Sequence, residues 1–214
     1  MIQISIRDRM GSRLRFGLIA DDLTGTLDTG VQFRQKGLVT LVPFRFSPSL
    51  KDVPVLALNS STRHSRPEMA YRKVKQLCKK LKGRILYKKI DSTLRGNVAV
   101  EILAVLDESG LSKAILAPAF PTQGRTLEDG ILKFYGTPFH LTHYRKEFSP
   151  SLDTSFVPEL IKREIGEPIG HIDRRGLAKG PSYLAARILE AKERIVLIDT
   201  CEPSAARCPP KCRR

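Results

Sequence analysis

Four places in this chain set side chains that can do chemistry directly after a run of apolar residues. The first is Asp21-Asp22-Leu23-Thr24-Gly25, which follows Phe16 to Ala20. Two adjacent carboxylates suit sugar hydroxyls, a proton to be abstracted, or a magnesium ion. Thr24 and Gly25 can expose backbone N–H groups at the start of a helix, and the same residues serve equally as a plain helix cap. The second, Lys88 to Asn97, gathers Lys89, Asp91, Ser92 and Arg95 around one turn. The planar fork of Arg95 matches a carboxylate, which a ligand or Asp91 can supply. The third is Ala117 to Thr126, where Pro118 and Pro121 set the loop's shape. There Gly124 leaves room for a ligand, and Gln123, Arg125 and Thr126 offer hydrogen bonds. A weaker fourth is Asn59-Ser60-Ser61-Thr62-Arg63.

Short apolar runs alternate with amphipathic stretches along the chain, the pattern of a parallel α/β sheet. In such a sheet ligands gather outside the carboxyl ends of the strands, where these clusters fall. Strands are expected at Phe16–Ala20, Leu38–Val42, Val55–Leu58, Arg84–Ile90, Lys113–Ala117 and Arg194–Thr200. The helix after Asp22 is expected to turn Leu27 and Val31 inward and to stop near Gly37. From Pro67 a stripe of Ala70, Val74, Leu77, Cys78 and Leu81 marks a second helix, with proline at its first position. Asn97 can cap a third, whose buried side is Val98, Ile102, Val105 and Leu106. Ile131–Tyr135 and Phe139–Thr142 are expected to pair as a hairpin across Gly136-Thr137-Pro138. The expected fold is α/β, a three-layer, mostly parallel sheet with helices on both faces, as a single domain over 16–200. Residues 1–15 would form an extension. Residues 201–214, with three prolines and no periodicity, would form a disordered, truncated or frameshifted tail.

The 214 residues suffice for one large core, and 41% hydrophobic with 28% charged residues is ordinary for a globular protein. No apolar run approaches a membrane span, and the basic opening lacks the apolar core of a secretory signal, so a cytoplasmic location is expected. The net charge of +15 invites an acidic partner such as nucleic acid. Much of it lies on Arg72, Lys73, Lys75, Lys79, Lys80 and Lys82, spaced as a solvated helical face, and no interleaved aromatics accompany it. Cys78 falls in an apolar register, and Cys201, Cys208 and Cys212 match no common zinc spacing.

Ile19 to Gly25, Lys89 to Gly96 and Ala117 to Thr126 together resemble the hallmark segments of the four-carbon acid sugar kinases, from about Phe16 to Thr200. Thr62-Arg63 departs slightly from that family's usual Ser-Arg. The resemblance implies the substrate-binding domain of a kinase acting on threonate, erythronate or 3-oxo-tetronate. It implies that Asp21, Asp22, Thr24, Asn59, Arg63, Lys89, Asp91, Ser92, Arg95, Gln123, Gly124 and Arg125 bind substrate. Asp22 is then the catalytic residue that accepts or orients the attacking hydroxyl, since phosphoryl transfer rests on positioning and charge neutralisation. ATP and Mg2+ would belong to the complete enzyme and to a separate or missing domain. Alone, this chain is expected to hold neither and to phosphorylate nothing. Two rival readings carry less. Asp22-Leu23-Thr24-Gly25-Thr26 also matches the phosphorylated segment of haloacid-dehalogenase-like enzymes, with Asp22 as nucleophile, yet no distal acidic pair follows it. A basic nucleic-acid-binding module would explain the charge and leave the polar strand ends without a purpose.

Overall fold

The computed structural model describes residues 14–148 and 152–200. Most of the expected extension and the whole expected tail lie outside the described residues. Those described form two compact units, 14–91 with 96–110 and 92–95 with 111–200, and each is treated by itself.

The first unit contains β1 (Phe16–Ala20), α1 (Leu23–Gln35), β2 (Thr40–Leu41), β3 (Val55–Asn59), α2 (Pro67–Lys80), β4 (Ile85–Lys89) and α3 (Val98–Ser109). Its sheet has the order β2-β3-β1-β4 and all its pairings are parallel. The register sets Ala20 opposite both Asn59 and Lys89, so three strands end at one level. Side chains alternate across a strand, which splits β1 between two faces. Ile19, Leu56 and Leu58 meet Val74, Cys78 and Leu81 of the α2 segment and Ala104 and Val105 of α3. Burying each of the leucine, isoleucine and valine side chains among them contributes about 1.5–3 kcal/mol. Phe16 and Tyr87 turn to the other face, where Phe33 of α1 packs against both. The α/β class, the parallel strands and the helices on both faces are as expected.

Helix α1 faces the other way round from its expected orientation. It buries Gly25, Thr26, Thr29 and Gly30, and leaves Leu23, Leu27 and Val31 exposed at 43%, 46% and 50%. Small residues let the helix axis sit close to the sheet; a Cβ on Gly30 would already stand 3.4 Å from Thr40 Cγ2. Asn97 occupies the cap position of α3 but makes no side-chain cap bond. Its Nδ2 donates instead to the carbonyls of Thr62 and Ser65, both at 3.0 Å. The basic residues of α2 lie mostly on its solvent side, and Cys78 is buried.

The second unit contains β5 (Ala114–Leu116), β6 (Arg125–Glu128), β7 (Ile131–Phe134), β8 (Thr137–Pro138), α4 (Tyr144–Phe148), α5 (Val157–Ile165), β9 (Gly170–Ile172), α6 (Arg174–Ala178), α7 (Pro181–Glu190) and β10 (Ile195–Ile198). Strands β5-β10-β9 form a parallel sheet, and β6-β7-β8 an antiparallel one. The expected hairpin is shorter than the sequence suggested: β7 pairs with Thr137 and Pro138, and Phe139–Leu141 is a 3-10 turn that buries Phe139. The longer hairpin, β6 with β7, turns at Asp129 and Gly130, both at positive φ. Their N–H groups donate to the buried Asp199 carboxylate at 2.6 and 3.1 Å, and His171 Nε2 lies 2.8 Å from it. Among the described residues, no helix is long and apolar enough to cross a membrane.

Candidate functional site

The carboxyl ends of β1, β3 and β4 bring Asp21, Asp22, Arg63, Lys89 and Asp91 together in the first unit. Arg63 is the centre. Its Nε and Nη2 donate to the two oxygens of Asp21 at 2.8 and 2.9 Å, a bidentate pair. Its Nη1 donates to Asp22 Oδ2 at 2.5 Å, and its Nη2 lies 3.6 Å from Asp91 Oδ2. This arginine's segment is the weakest of the four polar clusters in the sequence, because a loop has no periodicity and its partners are 41–42 residues away.

The loop that presents Arg63 is fixed by β1. Ser60 N donates to Ala20 O at 2.8 Å, and Thr62 N and Arg63 N donate to Asp21 O at 2.9 and 3.2 Å. Ser61 adopts φ +50, and Asn59 braces it, accepting from Ser61 N and donating to Ser61 Oγ, both at 2.8 Å. Gly96, at φ +87, closes the other side. A Cβ there would sit 3.2 Å from Asp21 Oδ2 and 3.4 Å from the Arg63 backbone, so a larger residue would press on the pair.

Asp22 caps α1 and also joins the Arg63 cluster. Its Oδ1 accepts from Gly25 N at 2.7 Å, which ties the first turn of α1 to it. Its side chain is 27% exposed, against 4% for Asp21 and 10% for Asp91. Asp22 therefore presents itself to solvent while Asp21 anchors the arginine. Thr24, two residues on, lies exposed. Burial works against the Arg63 charge, but Asp21, by hydrogen bond and by charge, then Asp91 and Asp22, outweigh it and raise its pKa. For Lys89, burial dominates and lowers the pKa, with Asp91 and Asp21 opposing and Arg63 reinforcing the fall. Its Nζ donates to Ile90 O at 2.5 Å.

The remaining sequence-predicted residues belong to the second unit. Ser92 and Arg95 lie on its short segment 92–95. Gln123 is exposed, and Arg125 stands 5.8 Å over the Phe134 ring. The room beside Gly124 is taken by Tyr135, whose ring a Cβ would approach to 2.5 Å, so this glycine's freedom serves packing against the turn after β7.

Two buried residues were missed, Glu101 and its partner Lys88, 2.6 Å apart. The signal for Glu101 existed: it shares a helical face with Val98 and Val105.

A family model described as a sugar-binding N-terminal domain matches residues 16–206. The chain belongs to that family. One family domain thus spans both compact units. This sugar-binding domain is 31% identical over 192 residues to the D-threonate kinase of Salmonella typhimurium, covering 86% of this chain and 45% of that one. It is also 31% identical over 193 residues to the D-erythronate kinase of Heliobacterium modesticaldum, covering 85% and 44%. The domain is homologous to four-carbon acid sugar kinases and spans about half the length of these relatives. A crystal structure from Bordetella bronchiseptica, a domain-swapped dimer with bound citrate, matches it with TM-score 0.74 and 31% identity, over 86% of this chain and 47% of that one.

Proposed function

We propose that this domain binds a four-carbon sugar acid as the acceptor of a phosphoryl group, with Asp22 against the hydroxyl that is phosphorylated. The observation that carries the reading is the Arg63-centred cluster at the strand ends of a chain whose relatives are sugar-acid kinases. Three carboxylates around one guanidinium leave lone pairs for sugar hydroxyls, and Asp22 is the most open of them. Held by Gly25 N and Arg63, Asp22 is fixed in direction before substrate arrives, and such preorganisation is what phosphoryl transfer asks of an acceptor site. Asp21, nearly buried, sets Arg63. The Lys89 ammonium, beside the same carboxylates, offsets part of their charge. Thr24 and Asn59 are proposed as further contacts in this unit; for Ser92, Arg95, Gln123 and Arg125 the proposal rests on the family resemblance alone, with Arg95 the first candidate for the acid's carboxylate.

In the complete enzyme ATP would supply the phosphoryl group and Mg2+ would neutralise its charge. The carboxylates suited to a metal are turned onto Arg63, and among the described residues no cluster of three or more acidic, histidine or cysteine side chains is placed to hold one.

The test is calorimetric titration of the chain with D-threonate and D-erythronate, repeated on Asp22→Asn, which keeps a good cap. Losing one charged hydrogen bond costs about 1.5–3 kcal/mol, roughly a 10- to 150-fold loss of affinity. Undiminished binding by a folded Asp22→Asn chain would overturn the assignment.

A further inference from the structure

Beneath the Arg63 cluster lies a second polar group that the site does not touch. Glu101, in the first turn of α3, is 1% exposed. Its Oε2 pairs with Lys88 Nζ at 2.6 Å, and both side chains are buried. Its Oε1 accepts a short hydrogen bond from Thr62 Oγ1. Thr62 Oγ1 in turn lies 2.6 Å from Ser60 Oγ, which donates to Ala20 O at 2.9 Å. At the other end Lys88 Nζ donates to Lys89 O at 2.8 Å. An unbroken chain of polar contacts therefore runs from the end of β1, through the loop after β3 and the start of α3, to the end of β4.

A buried ion pair is a poor way to gain stability, because desolvating two charges consumes most of what their attraction returns, and apolar residues of similar volume often do as well or better. What this pair does that apolar residues cannot is hold Thr62 by its hydroxyl. The same residue is held by its amide through Asp21 O and by its carbonyl through Asn97 Nδ2. Fixed on three sides, Thr62 sets the direction in which its neighbour Arg63 leaves the loop, and the Arg63 amide is itself tied to Asp21 O. That direction brings the guanidinium onto Asp21, Asp22 and Asp91.

We propose that Glu101, with Lys88 as its counter-ion, is a positioning residue that acts through Thr62 to fix Arg63, and through Arg63 the orientation of Asp22. Only the ligand-affinity part of its test rests on the sugar-acid reading. A structural role alone would appear as lost stability, whereas positioning must appear at Arg63 itself.

The experiment follows the Arg63 Nε–H resonance in the 15N-labelled chain, assigned by its disappearance in Arg63→Lys. In the parent this proton is bonded to Asp21 and should exchange slowly with water. Three variants are compared: Thr62→Val, which keeps the shape and removes the hydroxyl; Thr62→Ser, which restores it; and the double Lys88→Met/Glu101→Leu, which removes both charges together and protects the fold. Thr62→Val and the double variant should exchange that proton about tenfold faster or more, one charged hydrogen bond's worth, while Thr62→Ser stays near the parent. D-threonate affinity should fall in the same order. A folded double variant and a folded Thr62→Val whose Arg63 Nε–H is unmoved would overturn the proposal. Should the parent fail to bind threonate, the sugar-acid reading fails, and the Arg63 resonance still decides this one.

Discussion

Replacing Arg63 with methionine removes the guanidinium that touches Asp21, Asp22 and Asp91 while keeping much of the side chain's length. The Arg63 side chain is 13% exposed and that of Asp21 4%, so water cannot readily take the arginine's place at that carboxylate. Three hydrogen bonds to charged groups, at roughly 1.5–3 kcal/mol each, would sum to more than any single substitution usually costs, because the terms share one desolvation penalty. The measured cost of breaking a buried pair by removing one partner, about 3–5 kcal/mol, is the better guide. For a chain of this size that corresponds to a fall in Tm of roughly 6–20 °C. Urea denaturation followed by circular dichroism measures it. Two further arms test the cause. Acid should shrink the deficit, because protonation neutralises the carboxylates left without their cation. Adding Asp21→Asn to Arg63→Met should cost much less than its effect in the parent, since the charge it removes is already uncompensated. A loss below about 1 kcal/mol, additive with Asp21→Asn, would refute the view that Arg63 organises the cluster.

Lys89 should release its proton at lower pH than the solvent-exposed lysines, because burial lowers its pKa from the ordinary 10.5. A lysine with a depressed folded pKa costs stability while charged in both states, and that cost fades as pH rises through the folded value towards the unfolded one. Titration of 13C-methylated lysines by NMR reads the order of release, and Lys89 titrating last would contradict the geometry. Leu27→Glu should change stability by no more than about 0.5 kcal/mol, since the residue lies on the outer face of α1. A loss of several kcal/mol on denaturation would restore the inward orientation that the sequence pattern suggests.

Where the sequence could be read and where it could not follows from the range of the forces involved. The strands β1, β3, β4, β5 and β10 were visible because an apolar run ending in polar residues is a local signal. So were α2 and α3, whose buried stripes recur at helical spacing. Helix α1 misled because its apolar stripe gives the period but not the face. The face was decided by Gly25, Thr26, Thr29 and Gly30, which let the backbone approach the sheet. The Asp21-Asp22 pair was legible as a polar cluster at a strand end, but not how the two carboxylates share Arg63, an arginine 41 or 42 positions later. Asn97 was legible as a helix start, yet its amide is spent on the Thr62 and Ser65 carbonyls, a tertiary contact no local pattern encodes.

The two parallel sheets reverse each other in chain order. In the first unit the strand with neighbours on both sides near the site is β1, the earliest in the chain, and all its partners are complete by residue 110. In the second, the middle strand is β10, the latest, and Asp199 at its end also secures the β6–β7 turn about seventy residues upstream. Closing a long loop must precede the contacts that reward it. During vectorial synthesis the first unit can therefore assemble around a strand already present, whereas the second must wait for nearly its whole length to emerge. The Arg63 cluster can thus form while β5 and β6 still lack the strand that will pair with one and pin the other, and the ribosome sees this chain as an early-folding half followed by a late one.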